Sequence, residues 1–384
     1  MMAASPLRRT LLAAGAAASL LPLPLLAADA AACDIWPHWS GFKRRFLSED
    51  GRVIDRSSPQ SITTSEGQSY ALFFALVADD RDSFARLLRW TEDNLAGGDL
   101  SASLPAWHWG RRPDGGWGVL DDNPASDADL WIAYALIEAG RLWKNQKYAA
   151  LGRLVAERIL REETADIPGF GRVLLPAPRG FRPQPDSFRL NPSYLPVQLM
   201  RRMAAVTGQA PWRQLGATAI DVTVRSAPRG FAPDWVLVKA GGSFQPDAAT
   251  EAVGSYNAIR VYLWAGMLDE KDPARAVLLR ALLPAARHVE RTGVPPLEAH
   301  TRDGEASGTG PAGFSAAMLP FLSAARLTDA ARRQLLRVEA RAPLDDSNNY
   351  YEQVLTLFAL GWHGGLYRFA PDGSLIPRWT CKER

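Results

Sequence analysis

The amino-acid sequence predicts a single all-α domain preceded by an export signal. Roughly twelve segments repeat their apolar residues with a helical period. Densely apolar segments alternate with one-sided ones, and nothing resembles the strand–helix alternation of a parallel sheet. A densely apolar helix must be covered on most sides, and a one-sided helix can cover it, so the alternation predicts inner helices wrapped by outer ones.

Along the chain, Arg8 and Arg9 precede an apolar run from Leu11 to Leu26 and Ala-rich residues up to Ala32, the layout of a secretory signal. Pro22 and Pro24 interrupt the run, which is shorter than the about 20 residues a spanning helix needs. Cleavage between Ala28 and Ala32 is expected, leaving residues 33–384 as one domain, periplasmic or secreted, with no membrane insertion of the mature chain. The pair Arg8-Arg9 also suits twin-arginine export. Cys33 and Cys381 are the only 2 cysteines, and an oxidising compartment would allow them to join the two ends of the domain.

The expected helices are 36–48, 66–79, 81–97, 126–143, 145–162, 191–208, 210–227, 252–267, 271–292, 312–325, 327–341 and 348–361. Ala71–Ala78 and Ala128–Trp143 are too apolar for surface helices. Asp82–Leu95 places Phe84, Leu87, Leu88 and Leu95 on one face, with charges between them. A strand-like run occurs at Trp235–Val238. The intervening stretches 98–125, 164–190, 228–250 and 293–311 are rich in Gly, Pro and Trp, and long ordered loops of this kind often carry function.

Composition excludes several classes. Lys and Arg total 44 against 41 Asp and Glu, a net charge of +3, which gives no reason to expect a nucleic-acid partner. The 5 histidines lie far apart and 2 cysteines cannot form a zinc site alone, so no metal or other cofactor is expected. Gly313-Phe314-Ser315-Ala316-Ala317 lacks the second glycine of a serine-hydrolase elbow, and no phosphate-binding loop occurs. The 13 tryptophans suit either core filling or stacking on sugar rings.

Three polar clusters stand at expected helix starts beside aromatics: Thr63 through Tyr70 with Glu66, Ser126 through Trp131 with Asp127, and Ser255-Tyr256-Asn257-Ala258-Ile259-Arg260. Taken singly, each has a plain structural explanation: a carboxylate against a helix dipole, an Asp cap, a buried amide. Together with Cys33 through Pro37, Gly51 through Asp55, Leu104 through Trp107, Asn191 through Pro196 and Gly313 through Pro320, they resemble glycoside hydrolase family 8, nearly end to end. Within that family the match is strongest to the periplasmic endoglucanases associated with bacterial cellulose synthesis.

The resemblance implies an (α/α)6 barrel of six inner and six outer helices, and endo-hydrolysis of β-1,4-glucan with inversion. It makes Glu66 the general acid, a role that needs a proton at working pH, and Asp127 the residue that holds the sugar at the cleavage subsite and the neighbour expected to raise the Glu66 pKa. It also implies cellulose or cello-oligosaccharide as substrate and association with the cellulose synthase secretion machinery. The general base of such enzymes is an Asp in the motif occupied here by Asn257. An amide cannot accept a proton near neutral pH. Three explanations fit: an Asp→Asn change made to trap substrate, favoured because the surrounding motif is intact; a base relocated to another loop; or a natural, non-catalytic β-glucan-binding relative. A family member acting on chitosan or xylan would share the scaffold. Expected groove residues are Trp107, Trp109, Trp117, Tyr194, Trp235, Tyr256, Tyr350 and Tyr351, with Arg260 one turn after Tyr256 as a ligand for a carboxylate or a sugar hydroxyl.

Overall fold

The computed structural model describes Met1, residues 36–341 and residues 349–379. The signal segment, Cys33 and Cys381 lie outside the described residues, so their expected cleavage and pairing are not addressed by it. The described helices and strands belong to one compact unit, Ile35–Arg384. They comprise α1 (Pro37–Phe46), α2 (Ser65–Val77), α3 (Arg81–Leu95), α4 (Ser126–Leu142), α5 (Gln146–Glu162), α6 (Val197–Thr207), α7 (Ala210–Ser226), α8 (Ile259–Gly266), α9 (Pro273–Thr292), α10 (Ala312–Ala324), α11 (Thr328–Arg341) and α12 (Tyr350–His363).

The even-numbered helices form the inner ring. Each touches the next from α2 to α12, and Phe358 of α12 closes the circle against Phe73 and Phe74 of α2, with ring centroids 5.4 and 4.7 Å apart. The odd-numbered helices cover it: α3 on α2, α5 on α4, α7 on α6, α9 on α8, α11 on α10, and α1 on α12. This is the expected (α/α)6 arrangement. Apolar density accounts for the partition: α2 buries every residue except Glu66, and α8 buries every residue, whereas α3 buries the expected Phe84, Leu87, Leu88 and Leu95 and leaves its charges outside. Trp131 of α4 fills the space within the ring, with centroids 4.9 Å from Phe73, 5.3 Å from Trp264 and 5.2 Å from Phe358. Helices α8 and α10 meet at Gly266, where a Cβ would come within 2.2 Å of the Phe321 nitrogen.

The long connections between helices are mostly folded as small antiparallel sheets. Strands 108–111 and 117–121 form a hairpin extended by 63–64; 187–190, 236–239 and 244–246 form a second sheet; 253–254, 298–300 and 306–307 a third. Two expected helix starts shift as a result. Pro192–Tyr194 is a short 3-10 turn and the helix proper begins after Pro196. Val253–Gly254 pairs with Ala299–His300 as a strand, so α8 starts at Ile259 rather than 252. Among the described residues no helix is long and apolar enough to cross a membrane.

Candidate active site

The N-terminal ends of α2, α4, α8 and α12 converge, and the three polar clusters meet there. Thr64 caps α2 by accepting from the Gly67 amide at 3.1 Å, and the Ser65 amide donates to the Trp107 carbonyl at 3.0 Å. This places Glu66 in the first turn, as the one residue of α2 that is not fully enclosed. Gly67 is required beside it: a Cβ there would lie 2.7 Å from the Tyr350 hydroxyl. Asp127 occupies the first turn of α4 and is buried. The positive ends of these helix dipoles therefore face the carboxyl groups.

Arg260, fully enclosed in α8, organises the cluster. Its Nη1 donates to Glu66 Oε2, to the Tyr70 hydroxyl at 2.9 Å and to Asp127 Oδ2 at 3.2 Å; its Nη2 donates to Asn257 Oδ1 at 2.9 Å. Glu66 and Asn257 thus sit on adjacent nitrogens of one guanidinium. One guanidinium therefore holds both side chains in the same site. Burial, and next the charge of Glu66, raise the Asp127 carboxyl to about 7, with Arg260 opposing. Below that pH Asp127 carries a proton that it can share with Glu66. Two carboxyl groups under one cation can hold a proton between them.

Asn257 has its oxygen fixed by two donors, Arg260 Nη2 and Asn191 Nδ2, the latter at 3.2 Å. A flipped amide would set N–H groups against N–H groups, so the donors decide the orientation. The remaining edge of Asn257 carries only N–H. On that edge the side chain offers a donor and no lone pair.

The expected groove residues divide into two groups. Trp107, Trp117 and Tyr256 expose 36, 49 and 50% of their surface. Trp107 is stacked on His108 at 4.5 Å, Trp117 lies parallel to Trp109 at 5.4 Å, and Tyr256 packs edge-on to Phe314. Tyr194 and Tyr351 flank the Arg260 guanidinium, 5.6 and 5.9 Å from its carbon, and the Tyr351 hydroxyl donates to the Tyr256 carbonyl. The other three are engaged by neighbouring side chains. Trp109 is buried between Trp90 and Trp117 with the Arg52 guanidinium 4.3 Å from its ring, so it supports the platform rather than forming it. Tyr350 is buried against Phe42 and Phe46 and acts as wall for α2. Trp235 already carries Phe181, stacked at 5.6 Å, and Arg189 at 4.0 Å.

Sequence reasoning missed Tyr70, Asn191 and Asp234. Tyr70 and Asn191 lie inside stretches that carried the resemblance, but nothing local shows that they reach Arg260 and Asn257. Asp234 accepts from the amides of Ser255, Asn257 and Ala258 at 2.8, 3.0 and 2.7 Å, a cap supplied to the α8 entry from 23 residues before Asn257. Burial raises its carboxyl, and those three amides oppose the rise. No group of His, Cys, Asp and Glu able to hold a metal occurs among the described residues.

Comparison with known proteins agrees with this geometry. Residues 13–365 match the family described as Glycosyl hydrolases family 8. The chain is 47% identical to an endoglucanase of Salmonella typhi over 355 residues, covering 92% of this chain and 94% of that one. It is 47% identical to an endoglucanase of Xanthomonas axonopodis pv. citri over 376 residues, 97% of each. The crystal structure of endo-1,4-D-glucanase from Vibrio fischeri ES114 is 48% identical and superposes with a TM-score of 0.83, covering 90% of this chain and 99% of that one. With its inner ring, its convergent carboxyl groups and a match across nearly its whole length, the chain belongs to glycosyl hydrolase family 8.

Proposed function

We propose that this chain is built for endo-hydrolysis of β-1,4-glucan with inversion, and that Asn257 impairs the reaction in the chain as it stands. The observation that carries this is the single guanidinium of Arg260 holding Glu66, Asp127 and Asn257 together. In the reaction, exposed Trp107, Trp117 and Tyr256 would bind the apolar faces of successive glucosyl units. Asp127 holds the ring at the point of cleavage, and Glu66, beside it, delivers the proton to the departing oxygen. A water on the opposite face must lose a proton as it attacks. Position 257 would take that proton, and the N–H edge of an amide cannot. The endoglucanase and endo-1,4-D-glucanase relatives support glucan as substrate. The signal-like N-terminus supports export to the periplasm or beyond, where association with cellulose synthesis and a Cys33–Cys381 bond would belong. The test is reducing-end release by the Asn257→Asp protein from carboxymethylcellulose, xylan and chitosan in parallel. Preference for the cellulose derivative supports the reading; preference for either of the others replaces the substrate.

A further inference from the structure

Behind Asp127 lies a second carboxyl pair that the reaction above does not use. Asp129 follows Asp127 by two positions, about 200° around the helix, so the two side chains leave α4 on opposite sides. Asp127 turns to Arg260; Asp129 turns to Glu163, the residue that caps the C-terminal end of α5. Asp129 and Glu163 are completely buried, and no hydrogen-bond donor among the described residues reaches any of their four side-chain oxygens. The charged groups that act on them are Asp127 from α4 and Glu162 from α5, both acidic. Arg158 and Arg161 are engaged by Glu162 at 2.6 and 2.8 Å. Backbone contacts fix both partners: the Asp129 amide donates to the Ala125 carbonyl at 3.0 Å, and the Glu163 carbonyl accepts from Leu175 at 2.8 Å.

Two buried acceptors facing each other without a donor are tolerable only if a proton lies between them. We propose that Asp129 and Glu163 are a proton-sharing carboxyl pair that clamps the first turn of α4 to the end of α5 and thereby positions Asp127 in the site. Burial raises both carboxyls; the hydrogen bond with Glu163 opposes the rise at Asp129, while the charge of Asp129 adds to it at Glu163, in keeping with a proton retained well above the ordinary carboxylate range. Loss of that proton would force two anions together in a buried contact and push the α4 turn, with Asp127, out of register. Asp129 and Glu163 are positioning residues; neither reaches the sugar.

The activity part of the test rests on the glucanase reading and is made in the Asn257→Asp background; the spectroscopic part uses the chain as it stands. Infrared difference spectroscopy at about pH 8.5 should show a protonated-carboxyl C=O stretch that survives Asp127→Asn and disappears in Glu163→Gln. In the activity assay, Asp129→Asn or Glu163→Gln should move the alkaline limb of the kcat profile upward by about one pH unit or more, because the carboxylate left beside the amide is ionised and its repulsion of Asp127 makes that group hold its proton to higher pH. A purely structural role would lower thermal stability and leave that limb in place. Absence of the infrared band, or an unchanged alkaline limb in both amide variants, overturns the proposal. If Asp129→Asn does not fold, Glu163→Gln provides the same readout. If the Asn257→Asp background is inactive, the glucanase reading fails and the infrared result alone decides the pair.

Discussion

Replacing Asn257 with Asp is the perturbation with the largest predicted consequence. The oxygen that now accepts from Arg260 at 2.9 Å and from Asn191 at 3.2 Å keeps both donors. The new oxygen takes the place of the amide nitrogen and turns a donor edge into an acceptor. A positioned general base contributes about 10²–10⁴-fold, or roughly 3–5 kcal/mol of barrier, and kcat should rise by that factor. The fold should tolerate the change. The hydrogen bond from Arg260, already charge-assisted by the guanidinium, becomes an ion pair, against the cost of a third carboxylate at a guanidinium already shared by Glu66 and Asp127. The assay is reducing-end release from carboxymethylcellulose by both proteins, with calorimetric binding of a cello-oligosaccharide as control. Binding should be nearly equal, because the exposed rings are untouched. If the Asn257 protein is already fully active and the Asp variant gains nothing, the argument from the amide edge is wrong. Asp234, whose Oδ1 is bound to the amide of residue 257, is then the carboxylate to remove next.

Three further outcomes are expected. Glu66→Gln in the Asn257→Asp background should lower kcat by about 10²-fold or more while the circular-dichroism spectrum is retained; near-normal turnover would remove Glu66 from its role. Gly67→Ala drives a methyl against the Tyr350 hydroxyl, 2.7 Å away, and should cost about 1–3 kcal/mol of stability, read as a lower Tm; an unchanged Tm would show that the α2–α12 contact yields freely. Asp127 is raised to about 7 from an ordinary value of 3.8, so the folded state binds its proton more tightly than the unfolded one does. Stability from this group is therefore greatest below pH 4 and declines as pH rises towards 7; Asp127→Asn should flatten that part of the Tm profile, and an unaltered profile would place the shift elsewhere.

Much of this architecture was legible before any coordinates, for physical reasons that differ between elements. The inner helices announced themselves because a helix such as α2, apolar all round, has no stable place except inside other helices. Glu66, Asp127 and Arg260 were legible because they sit at helix starts within short, contiguous motifs. What the chain hid was non-local. Asp234 caps α8 from another loop, Val253–Gly254 is drawn into a strand by residues 298–300, and Asp129 meets Glu163 across two helices. None of these leaves a periodic or local trace. The aromatic groove was least legible where composition was the only guide: Trp109 and Trp117 lie on neighbouring strands of one hairpin and stack on each other, yet only Trp117 has an open face.

The account rests on a Glu66 acid and a position-257 base acting from opposite faces of the scissile bond. The most direct test is proton NMR of a cello-oligosaccharide during the first minutes of hydrolysis by the Asn257→Asp protein. Inversion predicts that the new reducing end appears first as the α-anomer and mutarotates afterwards. Initial release of the β-anomer would mean a covalent intermediate and a nucleophile, and would contradict the arrangement around Arg260 proposed here.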